Sequence, residues 1–121
     1  MNIRSLFLHF DELHALLSCL NVNFQVIGLS ETRTSHGSQN KNSDLLGYKF
    51  HETPSHSSAG GVGIYVKSNL TANKRDDLCV SDKDFETVWI EIENSKAKNV
   101  LCCCAYRHPS SDFTKFSDYF T

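Results

Sequence analysis

A chain of 121 residues that is 40% hydrophobic holds enough apolar material for one core and has no room for a second, so residues 1–121 read as a single domain. Twelve basic against 14 acidic residues give a formal charge of −2, which excludes a globally basic nucleic-acid binder and leaves only local contacts to a polyanion. Five cysteines, an odd number with three in a row at 102–104, fit neither a disulfide framework nor a zinc site and suit a reducing compartment.

At the amino end, Leu6-Phe7-Leu8 is interrupted by His9 and Asp11, too soon for a signal-peptide core or a membrane span. The expected setting is intracellular, nuclear or cytoplasmic, without a membrane. From Asp11 to Leu20, the leucines at 13, 16, 17 and 20 recur at helical spacing, and Asp11 and Glu12 stand where the helix dipole favours negative charge. This predicts an amphipathic helix whose core face is Leu13, Leu16, Leu17 and Leu20. An apolar run from Phe24 to Ser30 follows and reads as a buried strand. Residues 34–43 read as a surface loop, 48–52 as a short strand, 53–60 as a second polar loop and 61–67 as a glycine-led strand. The mixed charges of 67–85 read as a solvated connection. Val88, Ile90 and Ile92 alternate within a strand at 86–93, while 99–106 is continuously apolar; the first pattern predicts a strand near an exposed side and the second a strand buried centrally. Ser110-Ser111-Asp112 before Phe113, Phe116, Tyr119 and Phe120 carries the signature of an amino cap and a helix. The order of helix and strands suits an α/β or α+β layered protein.

Polar residues stand at the ends of three apolar segments: Asn2, then Glu31, then Tyr106-Arg107-His108. Placed on neighbouring strands of one sheet, these side chains would converge at one rim, where α/β proteins build phosphate and metal sites. Each has a plainer reading. Glu31 alone is a solvated strand-end carboxylate; Arg33 pairs with it or faces a phosphate; Tyr106 is a rim aromatic with a wet hydroxyl. Gly60, Gly61 and Gly63 precede no Lys-Ser or Lys-Thr, so they read as close strand packing and not as a phosphate loop. His108 reads as a loop residue. Cys102, Cys103 and Cys104 alternate faces in a strand, cannot all ligate one metal, and read as small buried hydrophobes.

Taken together, Asn-Ile-Arg-Ser-Leu at 2–6, Ile-Gly-Leu-Ser-Glu-Thr-Arg at 27–33, Gly-Gly-Val-Gly-Ile-Tyr-Val at 60–66, Glu-Thr-Val-Trp-Ile-Glu-Ile at 86–92 and Tyr-Arg-His-Pro-Ser-Ser-Asp at 106–112 resemble, in order and spacing, the endonuclease/exonuclease/phosphatase superfamily. The nearest likeness is to the apurinic-type endonuclease domain of non-LTR (LINE-type) retrotransposon polyproteins. The resemblance implies a DNase I-like four-layer α/β/β/α sandwich. It implies Glu31 as the Mg2+ ligand, with Mn2+ as the alternative ion, Asn2 and Tyr106 as catalytic residues, Asn2 helping to position the site and Tyr106 contacting the scissile phosphate, and Arg33 and Arg107 at the substrate. The implied partner is DNA, nicked to prime reverse transcription, with no small-molecule cofactor.

Two departures accompany the resemblance. The family completes its site with a later Asp-x-Asn motif and an Asp-His pair, and neither occurs in this sequence. Met1 directly precedes Asn2, where the family has a full strand. The expectation is therefore the amino-terminal half of an endonuclease domain, clipped at both ends and inactive in isolation. The rival expectations are a non-catalytic remnant or interaction module, and a phosphatase branch of the same superfamily.

Overall fold

The computed structural model describes residues 1–34, 44–55 and 59–121, so nearly all of the first expected polar loop, and residues 56–58 of the second, lie outside the described residues. The first helix, α1, spans Leu6–Leu20 and so begins at Leu6 instead of Asp11. Leu6 and Leu13 are buried, and Phe10 and Leu17 pack with them. Positions 6, 10, 13 and 17 form one face at helical spacing, which leaves His9 and Asp11 off the contact and harmless to the helix. Leu16 and Leu20, expected in the core, are 42% and 48% exposed, because the buried stripe is rotated toward the earlier residues. Asn21 closes the helix in the left-handed conformation that asparagine tolerates.

Two antiparallel sheets follow. The first contains β1 (Val26–Ser30), β2 (Tyr48–Thr53) and β3 (Val62–Lys67) in the order β1-β3-β2. Met1 to Ile3 runs parallel to the end of β1: Ser30 N–H donates to the Met1 carbonyl at 2.8 Å and Ile3 N–H to the Ser30 carbonyl at 3.0 Å. A short strand-like segment thus does precede the helix. β3 is buried almost throughout, with Val62, Ile64 and Val66 on one face and Gly63 and Tyr65 on the other. Gly63 lets the Phe50 ring lie on the strand, since a Cβ there would sit 2.4 Å from that ring, which packs at 4.6 Å from the Tyr65 ring.

The second sheet contains β4 (Ala72–Lys74), β5 (Val80–Ser81), β6 (Phe85–Ile92) and β7 (Val100–Arg107). β7 pairs with β6 along its whole length, and the short β4 and β5 share the other edge of β6. The connection expected at 67–85 therefore contains two strands, too short for any periodicity to mark them. The roles of the two long strands are the reverse of expectation. β6 is central and its first half fully buried, whereas β7 exposes Val100, Leu101 and Cys103 and pairs, among the described residues, only with β6. The alternation in β6 separates two covered faces instead of a covered and a wet one.

The core has two layers. Ile3, Leu6, Leu13, Ile27, Leu29, Leu45 and Tyr65 fill the space between α1 and the first sheet, and Val62, Ile64, Val66, Val88 and Ile90 fill the space between the sheets. A second helix, α2 (Phe113–Tyr119), is capped by Asp112, whose carboxylate accepts from Thr114 N–H at 2.9 Å. It covers the outer face of the second sheet through Phe85–Phe116, Phe85–Tyr119 and Trp89–Phe120 ring contacts. The layers run α/β/β/α, and the ends of β1 and β7 meet at one rim, where the Cys104 thiol donates to the Leu29 carbonyl at 3.4 Å. No helix among the described residues is long and apolar enough to cross a membrane.

Candidate active site

Glu31 leaves β1 with φ 54° and Arg33 repeats that value, while Arg4 and Ser5 on the neighbouring segment have φ 48° and 94°. The left-handed region costs a non-glycine residue roughly 1–2 kcal/mol, and of the five described residues that adopt it four lie here; the fifth is the helix cap Asn21. Backbone hydrogen bonds from every side hold the loop in place. Ser5 N–H donates to the Glu31 carbonyl at 2.7 Å, Leu6 N–H to Thr32 at 2.9 Å, Thr32 N–H to Gly61 at 3.2 Å and Arg33 N–H to Gly60 at 2.7 Å. Thr32 is fully buried, and its hydroxyl lies 3.3 Å from that of Thr34. Clustered strain, over-determined by its surroundings, is how a fold aims a side chain.

The carboxylate aimed in this way is met by two of the residues expected beside it. Asn2 and Tyr106 both lie beside Glu31, close enough for the Asn2 amide and the Tyr106 hydroxyl to stabilise its ionised form. The Asn2 hydrogen bond is the main reason the carboxyl stays below the usual carboxylate range; desolvation opposes it, and Tyr106, Arg4 and Arg33 add to the lowering. Burial and the adjacent Glu31 push the Tyr106 phenol up in turn. Convergence occurs, but not within one sheet as anticipated: Asn2 and Glu31 belong to the first sheet and Tyr106 to the second, so the site is closed by sheet-on-sheet packing. Tyr106 reaches it because Cys102, Cys104 and Tyr106 share the inner face of β7.

The arginines differ. Arg33 lies beside the carboxylate, Nη2 to Oε2 at 3.9 Å, with its side chain 41% exposed, a loose pair that leaves the guanidinium facing solvent. Arg107 is not brought to this cluster. One residue after Tyr106, it occupies the opposite face of β7, where its guanidinium lies over the Phe113 ring at 5.6 Å and Nη1 donates to the Ser111 carbonyl at 3.4 Å. Strand alternation makes this unavoidable for any neighbour of Tyr106 in the chain.

Glu86 and His108 are the residues that sequence reasoning missed. Glu86 is fully buried on the inner face of β6, and His108 Nε2 lies 3.2 and 3.0 Å from its two carboxylate oxygens. His108 is thus a partner in a buried pair and not a plain loop residue. One signal was present: Glu86 shares the alternation phase of Val88, Ile90 and Ile92, and a carboxylate on the apolar phase of a strand needs a partner. Nothing in the sequence marks His108 as that partner. The three cysteines also divide, with Cys102 and Cys104 half-buried and Cys103 exposed.

Searches against family models and against characterised proteins returned no match. Among solved structures the chain superposes on the endonuclease domain of TRAS1, a telomere-specific non-LTR retrotransposon, with a TM-score of 0.69 at 12% sequence identity, over 99% of this chain. The chain has that domain's fold. It is the DNase I-like sandwich expected from the motifs, and the chain spans about half of the matched one, 49% of its length. At that identity the likeness speaks for architecture, and the residues at the rim must speak for chemistry.

Proposed function

We propose that this chain supplies one half of a divalent-metal-dependent phosphodiesterase site, in an endonuclease domain that nicks DNA for retrotransposon reverse transcription. The observation that carries the proposal is the meeting of Asn2 and Tyr106 on the Glu31 carboxylate, from two different sheets. The fold shared with a retrotransposon endonuclease domain supports DNA as the substrate.

The residues suit a hard cation. Glu31 is ionised at neutral pH and its side chain is partly open, 16% exposed. Mg2+ or Mn2+ commonly takes only one or two protein carboxylates, with water and phosphate oxygens as its other ligands. Among the described residues no group of three or more His, Cys, Asp or Glu gathers, so Glu31 would be the anchoring ligand from this chain. An ion held there supplies charge stabilisation for in-line attack of water on phosphorus. The Asn2 amide and Tyr106 hydroxyl are uncharged donors beside Glu31, suited to phosphate oxygens as negative charge develops on them. Arg33 offers its exposed guanidinium to a flanking phosphodiester. Arg107 takes no part, being on the outer face.

Among the described residues, none stands beside Glu31 as a proton acceptor for the attacking water. Glu86, next to Tyr106 on the inner face, is sealed and paired with His108. The 121-residue chain is therefore expected to bind the ion without cutting DNA. Two measurements test this. Titration with Mn2+, followed by paramagnetic broadening, is expected to reveal a site lost in Glu31→Ala; binding that ignores Glu31 would overturn the metal reading. Supercoiled plasmid incubated with the chain and Mg2+ is expected to stay intact, and nicking abolished in Glu31→Ala would overturn the expected inactivity.

A further inference from the structure

Glu86 and Tyr106 are register partners on β6 and β7, so their side chains project together from the same face of the second sheet. Tyr106 is bounded on one flank by this neighbour. On another it meets the His108 ring edge-on, with centroids 5.0 Å apart and planes at 79°. His108 cannot swing away, because both its ends are tied. Its Nε2 engages the Glu86 carboxylate, while its backbone N–H donates to Asp84 at 2.9 Å and its carbonyl accepts from the Ser111 N–H at 3.0 Å and hydroxyl at 2.7 Å.

The pair is also roofed. A Cβ at Gly60 would lie 2.7 Å from Glu86 Oε1 and 2.8 Å from His108 Cε1, and Gly60 has φ 133°, so this position excludes side chains for two reasons. The Gly60 carbonyl accepts from Arg33 N–H, so the segment covering the pair is the segment holding the Glu31 loop. Burying a carboxylate is expensive even when it is paired, and an apolar residue at 86 would continue the Val88–Ile90 face at no such cost. The expense falls directly beside the hydroxyl that meets Glu31.

We propose that Glu86 and His108 are a positioning pair for Tyr106, holding its ring in the orientation in which the hydroxyl reaches Glu31. The pair touches neither ion nor phosphate; its effect on chemistry is exerted through Tyr106 and so rests on the role proposed for that residue above.

The test uses the whole 121-residue chain labelled on tyrosine, with Tyr106→Phe assigning the resonances. Exchange of the Tyr106 hydroxyl proton with water reports its hydrogen bond to Glu31. Glu86→Leu and His108→Ala are expected to speed that exchange by about tenfold, while Glu86→Gln, which keeps an acceptor for Nε2, restores it to within about twofold. The Tyr119 hydroxyl, on the far side of the second sheet, serves as the internal control and is expected not to change. Should Glu86→Leu fail to fold, His108→Ala at the rim carries the comparison. Unchanged Tyr106 exchange in a folded His108→Ala, or equal acceleration at Tyr119, would overturn the positioning role and leave a purely structural ion pair. Mn2+ broadening of the Tyr106 ring is recorded separately. Its absence would remove the metal reading of Glu31 and leave the exchange comparison standing.

Discussion

Gly28 on β1 faces Cys104 on β7 across the gap between the sheets: a Cβ on Gly28 would lie 3.5 Å from the Cys104 sulfur and 3.7 Å from its Cβ. This contact sets how closely the two strands that carry Glu31 and Tyr106 approach. One methyl fits at ordinary van der Waals distance and four carbons do not. Gly28→Ala is expected to be tolerated, while Gly28→Leu should cost about 1–3 kcal/mol by overpacking. The same leucine should also raise the Glu31 pKa by drawing Tyr106 away. Urea denaturation and carboxyl NMR titration check the two effects, and a Gly28→Leu chain as stable as the parent would show that the sheets have slack here.

Two neutral donors hold Glu31 ionised, and they are unequal, Asn2 contributing more than Tyr106. Asn2→Ala should therefore raise the Glu31 pKa toward its ordinary 4.5 by more than Tyr106→Phe does. The linkage has a definite sign. With the folded value below the unfolded one, the stabilisation is complete above pH 4.5 and is lost as pH falls through the lowered folded value. Both variants should narrow that acid-side loss. A larger shift in Tyr106→Phe would reverse the assigned order.

Legibility of this fold from sequence depended on run length and on phase. β1, β3, β6, β7 and α2 were readable because each carries an apolar run, an alternation or a capped period. β4 and β5, three and two residues long, exist only because β6 has an edge to pair, and no local pattern encodes that. α1 was misplaced because Leu16 and Leu20 match the helical period as well as Leu6 and Phe10 do; only tertiary packing chooses between the stripes. At the site, Asn2, Glu31 and Tyr106 were legible as strand-end polar residues. Strand phase, which places Arg107 on the face opposite Tyr106, was not weighed in the sequence reading, and the Glu86–His108 pair depends on a contact between chain-distant residues.

His51 lies on β2 opposite Ile64, on the same face as Thr53, whose hydroxyl donates to the Thr87 carbonyl of the other sheet at 2.7 Å. Burial between the sheets, and then Lys74 and Lys49, hold its pKa below the usual 6.5. A depressed histidine pKa means that the unfolded chain binds the proton first. Its contribution is full above pH 6.5 and is lost as pH falls toward the folded value. The urea midpoint should drop as pH is lowered from about 7.5 to 5.5, and His51→Gln should flatten that slope. An unchanged slope in His51→Gln would assign the pH dependence to other groups.

Tyr119 ties α2 to the second sheet through one oxygen. Its hydroxyl donates to the Leu78 carbonyl, accepts from Trp89 Nε1 at 2.8 Å and lies 3.2 Å from the Thr87 hydroxyl, while its ring packs on Phe85 and Phe120. Tyr119→Phe keeps the ring contacts and removes only the oxygen, leaving the indole N–H and the Leu78 carbonyl without their partner. Because partly buried groups orphaned in this way cost more than the bond itself contributed, a loss of about 1–3 kcal/mol is expected. Trp89 is the chain's one tryptophan, so its emission reports the same event without a label. The spectrum should shift to the red as water replaces the phenol at the indole nitrogen. If Tyr119→Phe lost stability with no change in emission, the cost would lie at Leu78 and Thr87; if it lost neither, α2 would be held by its aromatic face alone.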